Sequence, residues 1–277
     1  MDYTSKTAVK ASAALSIVAI ACCYSRPVQA VASADAIGGF LFSNFSQTPL
    51  QVESDVFTVS EAEGTGADAI ADADAVFETF PTTQAFSLVT SSAFVVGGAS
   101  DAFAQSEARV IGDFEISAGT PFSFDFTGFA DLQTATESPV ESAGALFTTQ
   151  YSIFVQEQES NSLVELDFFN LFGEINTPTG SDALLAEGSD AIALARFDVQ
   201  DNTGPNLAAE SLTIDVGGRY ERMFEQDASI TLAEIKLAAV KGQNKADIPE
   251  PYSPVLWLLG VGGLLTIGRQ HKQQLKP

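Results

Sequence analysis

Alternation of apolar and polar residues recurs along most of this chain, and it restricts the fold more than any other pattern in the sequence. Phenylalanines occupy positions 122, 124 and 126, with Ser123 and Asp125 between them. A period of two places these phenylalanines on one face of an extended strand, as in a half-buried β-strand. The same pattern predicts strands at Phe40–Ser46, Gln51–Ser60, Arg109–Ser117, Phe122–Phe129, Tyr151–Glu157, Leu163–Phe169, Ala191–Val199, Gly218–Gln226 and Ile230–Val240.

Short segments rich in glycine, proline, asparagine and serine separate these strands, such as Gly119–Pro121 and Glu159–Ser162. Such spacing is typical of antiparallel all-β domains. The chain contains 21 phenylalanines, which suit a thick aromatic core between two sheets. We therefore predict an all-β fold, an antiparallel jelly-roll-like β-sandwich, in one domain that spans residues 31–245.

The segment Ala67–Phe77 fits two different structures. As a strand, it would place its alanines on one face and its acidic residues on the other. As a helix, it would align Ile70, Ala73 and Phe77, and alanine has the strongest helix propensity. We favour the strand because the neighbouring segments alternate. Strand and helix both stay open for residues 99–108 and 184–195.

The N-terminal residues have the three parts of a secretory signal peptide. Lys6 and Lys10 precede an apolar stretch, Ala11–Cys23, and a small-residue site ends at Ala30. A basic region, a short apolar region and a small-residue cleavage site together direct export and are then removed. We predict a signal helix in residues 1–30, with cleavage after Ala30. Other outcomes stay open: cleavage after Ala34 or Ala36, a lipoprotein site at Cys22, or an uncleaved N-terminal anchor.

The C-terminal segment, residues 246–277, also has three parts. The motif Pro249-Glu250-Pro251 is followed by an uncharged apolar run, Val255–Ile267, and then by basic residues. The prolines fix φ and remove backbone donors, which keeps the motif extended and accessible. The run is shorter than the ~20 residues that comfortably span a bilayer, and tilt or local thinning would make up the difference. The positive-inside rule leaves the basic end in the cytoplasm, with Arg269, Lys272 and Lys276.

Together, these three parts resemble the C-terminal sorting signal of bacterial PEP-CTERM proteins. The resemblance implies a short transmembrane helix, processing by an exosortase at residues 249–251, and export through the Sec machinery. An uncleaved anchor and a buried terminal strand are the alternative interpretations of the tail. Three segments of the body are similar to a group of cyanobacterial PEP-CTERM proteins: Glu115–Phe126, Asp167–Leu171 and Gly218–Arg222.

The body of the chain is strongly acidic. Residues 31–248 contain 34 acidic and 7 basic residues, which gives a net charge of −27. A field of this sign disfavours nucleic acid and anionic membrane surfaces as partners. Divalent cations, cationic surfaces and neutral glycans are compatible with it. Solubility and self-repulsion outside the cell would also explain the bias without any partner.

Several residue types that enzymes use are confined to the terminal segments. Cys22 and Cys23 lie in the predicted signal peptide, whereas His271 and Trp257, the single histidine and tryptophan, lie in the tail. A processed chain would therefore contain no disulfide, no Ser-His-Asp triad and no cysteine or histidine ligands for a metal. We predict that the protein is not an enzyme and that it needs no cofactor.

Carboxylates are the remaining candidates for chemistry. Glu165 and Asp167 alternate onto one face of a predicted strand, where they would form the acid pair of a glycosidase. Asp68, Asp72 and Asp74 would offer hard oxygen ligands to calcium, although their spacing lacks the glycine and terminal glutamate of an EF-hand loop. Because the body holds so many acids, such pairs and rows arise by chance, and a solvated strand face is the expected explanation.

These observations predict an exported, exosortase-processed cell-envelope or extracellular-matrix protein with a non-catalytic structural or adhesive role. A carbohydrate- or calcium-binding surface module is the alternative, and a secreted hydrolase that uses carboxylates is the third hypothesis. The expected partners are the Sec machinery, the exosortase, the membrane before processing, and extracellular polysaccharide, but not nucleic acid. We expect the precursor in the inner membrane and the product in the envelope, on the outer surface or outside the cell.

Overall fold

A computed structural model of the chain describes residues 32–96, 99–138, 141–157, 162–204 and 208–244. These residues form twelve β-strands and no helix. The strands are β1 (Ala32–Ser43), β2 (Gln51–Glu63), β3 (Ala67–Glu78), β4 (Gln84–Val95), β5 (Ser100–Ile116), β6 (Thr120–Thr136), β7 (Glu141–Gln156), β8 (Leu163–Thr177), β9 (Ala183–Gly188), β10 (Ile192–Asn202), β11 (Ala209–Phe224) and β12 (Ala228–Asn244). The predicted all-β fold is confirmed.

The strands form two six-stranded antiparallel sheets that pack face to face. The first sheet, sheet A, has the order β10-β11-β6-β1-β4-β3, and the second, sheet B, has the order β2-β5-β12-β7-β8-β9. Between the sheets, β4 packs against β5 and β12, β1 against β12 and β7, and β6 against β7 and β8. The architecture is therefore a β-sandwich, in which each strand has one face toward the partner sheet.

Aromatic side chains fill the space between the sheets, as their number in the sequence predicts. Phe122, Phe124 and Phe126 all point inward and are at most 1% exposed. The ring centroids of Phe114 and Phe122 are 4.7 Å apart, and those of Phe124 and Tyr220 are 5.1 Å apart. The first pair is tilted and the second is stacked, and aromatic pairs at these distances add to the stabilisation that burial alone provides.

Two glycines make room for this aromatic core. A Cβ atom built on Gly38 would lie 2.0 Å from Cε2 of Phe147, and one on Gly128 would lie 2.3 Å from Cε2 of Phe40. No side chain fits at such distances, since interiors are close-packed. The two glycines therefore allow the Phe147 and Phe40 rings to lie directly against the backbone of sheet A.

The three segments whose sequences are compatible with either a strand or a helix all form strands in the structure. Residues 67–77 form most of β3, with alanines inward and acids outward. Residues 100–108 belong to β5, which continues through most of the predicted strand at Arg109–Ser117 and ends at Ile116, as one strand of 17 residues. Residues 184–195 are divided between β9 and β10 by the turn at 189–191. The period of two therefore outweighs alanine's helix propensity in this chain.

The start of β1 and the end of β12 lie side by side at one end of the sandwich. A Cβ atom built on Gly242 would lie 3.8 Å from the carbonyl oxygen of Ala32 and 3.2 Å from Cγ2 of Val95. Val95 pairs with Ala32 in the register of β4 and β1. The two ends of the described domain therefore meet across the two sheets.

The predicted terminal elements lie outside the described residues. They are the signal helix of residues 1–30 with its cleavage site at Ala30, the motif Pro249-Glu250-Pro251, the apolar run of the tail, and the basic residues Arg269, Lys272 and Lys276. Within the described residues, no helix has the length and apolar character needed to cross a membrane.

Candidate functional site

The three aspartates predicted as calcium ligands lie in a row on the outer face of β3. Asp68, Asp72 and Asp74 pair with Phe94, Thr90 and Leu88 of β4, and all three aspartates are exposed to solvent. In the described parts of the chain, no group of three or more acidic, cysteine or histidine side chains has a geometry that could hold a metal ion. Calcium binding by this row stays a prediction.

The predicted carboxylate pair is split between the two faces of β8. Glu165 pairs with Phe154 and Asp167 with Ile153, so that Leu166 between them has no partner and forms a β-bulge. A bulge moves the following side chains to the opposite face. The Glu165 carboxylate consequently lies on the outer face, where it accepts a hydrogen bond from Ser152 Oγ at 2.6 Å, whereas Asp167 points into the core. The expectation that the two carboxylates share one face is wrong.

Asp167 of sheet B instead accepts hydrogen bonds from two residues of β11 in sheet A, and so connects the two sheets. Its Oδ2 atom accepts a hydrogen bond from Tyr220 Oη at 2.9 Å, and its two carboxylate oxygens accept bonds from Arg222 at 3.0 and 2.9 Å. The carboxylate is 3% exposed, and the guanidinium neutralises it at the rim of the core. Burial, followed by the charge of Asp167, raises the pKa of Tyr220. Loss of Arg222 would leave the Asp167 carboxylate buried without a counter-charge, which would lower the stability of the fold.

A second polar cluster lies at the centre of the sandwich, around Lys236 of β12. Its ammonium is 3.1 Å from Oε1 of Glu234, and both side chains are 0% exposed. The same nitrogen donates hydrogen bonds to the carbonyl oxygen and hydroxyl of Ser87 on sheet A, and it lies 5.2 Å from the ring centroid of Phe40. Thr149 donates a hydrogen bond to Glu234 Oε1 at 3.0 Å. Burial lowers the pKa of Lys236, and the charge of Glu234 opposes this effect.

The contact between Lys236 and Ser87 places a base beside a hydroxyl, which is the arrangement of Ser-Lys nucleophiles. A nucleophile must also reach its substrate, and neither side chain has any exposed surface. The ring of Phe40 lies over the ammonium, and Glu234 holds it in an ion pair. The arrangement therefore serves as a hydrogen-bonded link between the sheets.

A third cluster connects the sheets at another place in the core. The Thr177 hydroxyl of β8 donates a hydrogen bond to Glu210 of β11, and it lies 2.5 Å from the hydroxyl of Thr134 on β6. The other oxygen of Glu210 accepts a bond from the backbone N–H of Gly204 at 2.9 Å. All three side chains are buried. Each of the three clusters thus places an acid in the core and includes a hydrogen bond between the two sheets: Tyr220 to Asp167, Lys236 to Ser87, and Thr177 to Glu210.

No protein-family model, no curated protein and no solved structure matches this chain. The interpretation of the site therefore depends on the residues and on their geometry.

Sequence patterns single out Asp167 as one of a candidate acid pair, but they predict neither its contacts with Tyr220 and Arg222 nor the other two clusters. Glu234 and Lys236 carry opposite charges two residues apart within the otherwise apolar segment Leu232–Val240, and this spacing puts them on the same face. That charge pair is the signal that would have identified the central cluster. Asp167 and Tyr220 are 53 residues apart in the chain, so no local pattern connects them.

Proposed function

We propose that this chain is an exported, exosortase-processed cell-envelope or extracellular-matrix protein with a non-catalytic structural role. The observation that carries the proposal is the place of the sandwich between the two terminal signals. β1 begins at Ala32, just after the predicted cleavage site at Ala30, and β12 ends at Asn244, before Pro249. Removal of both terminal segments would therefore cut no strand of either sheet.

The chemistry of the described domain supports the non-catalytic role. The buried candidate nucleophile Lys236 and the buried acid Asp167 both have partners of opposite charge within the fold, Glu234 and Arg222. A domain without cysteine or histidine also forms no disulfide and holds no metal through thiolate or imidazole ligands. An aromatic core of this size suits a protein that must stay folded outside the cell without disulfides.

The partners follow from the terminal segments and from the charge. The precursor would enter the Sec machinery and stay in the inner membrane with Arg269, Lys272 and Lys276 in the cytoplasm, until an exosortase processes residues 249–251. The product would reach the envelope, the outer surface or the medium. There, a body with a net charge of −27 accommodates neutral polysaccharide but repels nucleic acid.

Intact-mass measurement on the protein from each cell fraction tests this proposal. We expect the extracellular form to begin at residue 31 and to end within Pro249-Glu250-Pro251. A triple variant, Pro249→Ala, Glu250→Ala and Pro251→Ala, should keep its tail and stay with the membrane, whereas a control with Asp247→Ala should be processed normally. An extracellular chain that still carries residues 252–277 would contradict the processing step.

We also propose that the sandwich is a jelly roll in which the strand that is normally last comes first. The eight central strands support this, because β4-β1-β6-β11 faces β5-β12-β7-β8, and because the end of β12 meets the start of β1. A circularly permuted variant, in which a short linker joins Asn244 at the end of β12 to Ala32 at the start of β1, should therefore keep the circular-dichroism spectrum of the parent. Loss of that spectrum would count against the topology.

A further inference from the structure

The first and the last strand of the sandwich both lie inside their sheets. β1 lies between β6 and β4 in sheet A, and β12 lies between β5 and β7 in sheet B. Without β12, sheet B would consist of two separate parts, β2-β5 and β7-β8-β9. The sandwich therefore cannot close until the last strand has paired with strands from the middle of the chain. Folds that depend on contacts between such distant segments form slowly.

The inner face of β12 is apolar except at its centre. Four apolar side chains of this face are at most 2% exposed, and between them Glu234 and Lys236 are 0% exposed. The four are Ile230, Leu232, Ala238 and Val240. When β12 docks, the two charges must leave water together with the apolar side chains, and removing charges from water is costly.

The contacts that offset this cost come from three other strands. The ammonium of Lys236 donates hydrogen bonds to the carbonyl oxygen and the hydroxyl of Ser87 on β4, and the ring centroid of Phe40 on β1 lies 5.2 Å away. Glu234 accepts a hydrogen bond from Thr149 on β7. Ser87 and Phe40 belong to the opposite sheet, so Lys236 gains them only when the two sheets meet. Water therefore has to leave the charges before these contacts reach their final geometry.

The completed cluster offsets the cost only in part. Oε1 of Glu234 contacts both Lys236 and Thr149, whereas Oε2 is buried and has no hydrogen-bond partner among the described residues. A buried ion pair is often no more stabilising than apolar side chains of similar volume, and its replacement by such side chains can speed folding. Stability alone therefore does not account for two charges at the centre of this core.

We propose that the Glu234–Lys236 pair slows closure of the sandwich and so keeps the chain unfolded while it is exported. The Sec channel passes unfolded chains, so a domain that closes in the cytoplasm cannot use it. The inference rests on the proposed function, because the delay matters only to a chain that crosses the membrane before it folds. Since the transition state for folding has already lost most of its contact with water, the pair lowers the folding rate more than it changes the unfolding rate.

Refolding kinetics test the effect of the pair on closure. Parent and variants are purified from the producing cells in the same processed form, unfolded in urea, and diluted while circular dichroism follows the return of the sheets. We expect Glu234→Leu with Lys236→Met to refold about tenfold faster than the parent, with a smaller change in the unfolding rate.

The chain offers a matched control on the neighbouring strand β5. Glu107 and Arg109 form an ion pair at 3.0 Å with the same spacing in sequence, but they lie on the outer face of sheet B and stay partly exposed. Glu107→Leu with Arg109→Met makes the same chemical changes without removing a buried charge. Its refolding rate should stay within about twofold of the parent's, because an exposed pair contributes little.

Export from the producing cells tests the consequence of the delay. A pulse of label followed by a chase measures how quickly the chain loses its N-terminal segment and leaves the cytoplasm. We expect Glu234→Leu with Lys236→Met to leave a several-fold larger share of folded, protease-resistant precursor in the cytoplasm than the parent does. Adding Leu232→Ala removes buried apolar volume from the same strand, which should slow refolding again and restore export.

Three results would overturn the proposal. Equal refolding rates for the parent and for Glu234→Leu with Lys236→Met would show that the pair does not slow closure. Faster refolding with unchanged export would show that closure does not limit export. If that variant does not fold, Glu234→Gln with Lys236→Met, which removes the charges and keeps the shape of the acid, is measured in its place. Failure of both variants to fold would show that closure needs the charges.

The two proposals fail in different ways. Refolding in solution does not involve export, so equal refolding rates overturn the delay and leave the proposed function standing. A parent chain that is kept in the cytoplasm with both terminal segments intact overturns the proposed function instead, whatever its refolding rate.

Discussion

Lys236 at the centre of the sandwich and Arg196 at its edge are both bases beside carboxylates, but their side chains differ in exposure to solvent. The ammonium of Lys236 is 3.1 Å from Glu234 with both side chains fully buried, whereas Arg196 is 3.0 Å from Asp215 with about half of each side chain exposed. Desolvation makes the buried pair costly to form and more costly to break, while solvent screens the exposed pair. The centre therefore determines stability, and the edges are available for contacts with other molecules.

Removing one partner of the central pair should have the largest effect. Glu234→Ala leaves the Lys236 ammonium buried without its counter-charge, and such a change costs about 3–5 kcal/mol of the free energy of unfolding. The matched control at the edge is Glu61→Ala on β2, where an exposed acid should contribute less than about 0.5 kcal/mol. Urea unfolding followed by far-ultraviolet circular dichroism measures both.

A double replacement makes the same comparison even if the single variant does not fold. Glu234→Leu with Lys236→Met removes both charges and keeps the apolar volume, so its stability should equal or exceed that of the parent. If Glu234→Ala costs no more than Glu61→Ala, the central pair is not buried as the structure has it.

The two body tyrosines predict a smaller effect that appears only at alkaline pH. Burial raises the pKa of Tyr151 and of Tyr220 above the usual value of 10.0, and the charge of Asp167 contributes to both shifts. Above pH 10 the unfolded chain releases these protons and the folded chain keeps them, so folding stability falls as pH rises. The loss approaches about 1.4 kcal/mol per pH unit for each tyrosine.

The absorbance of tyrosinate follows this titration directly. In the processed protein, which holds Tyr151 and Tyr220 as its tyrosines, the absorbance should rise only when the circular dichroism of the sheets is lost. A Tyr220→Phe variant should halve the rise. Ionisation of both tyrosines near pH 10 in a chain that is still folded would show that the core is open to solvent.

Polarity and burial agree in β3, a strand that the sequence predicts. In β3 the alanines face the core and the aspartates face water, so that the period of two is visible in the residue types. In β4, which was not predicted, Ser87 and Ser91 face the core while Phe86, Leu88 and Phe94 face outward. Burial alternates there, but residue type does not follow it on either face, and buried serines bond across the sheets, as Ser91 does with Ser106.

The details of the core could not be predicted for a different reason. A β-bulge at Leu166 depends on how β8 pairs with β7, and it decides whether Asp167 lies inside or outside. The central cluster depends on Lys236 meeting Ser87, 149 residues earlier in the chain. Local patterns give the period and the faces of strands, whereas these contacts depend on which strands become neighbours across the two sheets.

Amide hydrogen exchange compares the closed centre with the open edges most directly. In the monomer, the amides of β6 and β12 should exchange only through global unfolding, because both strands have a partner on each side. About half of the amides of β3 and β10 should exchange quickly, since alternate N–H groups of an edge strand point away from its one neighbour. Full protection of β3 and β10 would contradict the distinction between the centre and the edges.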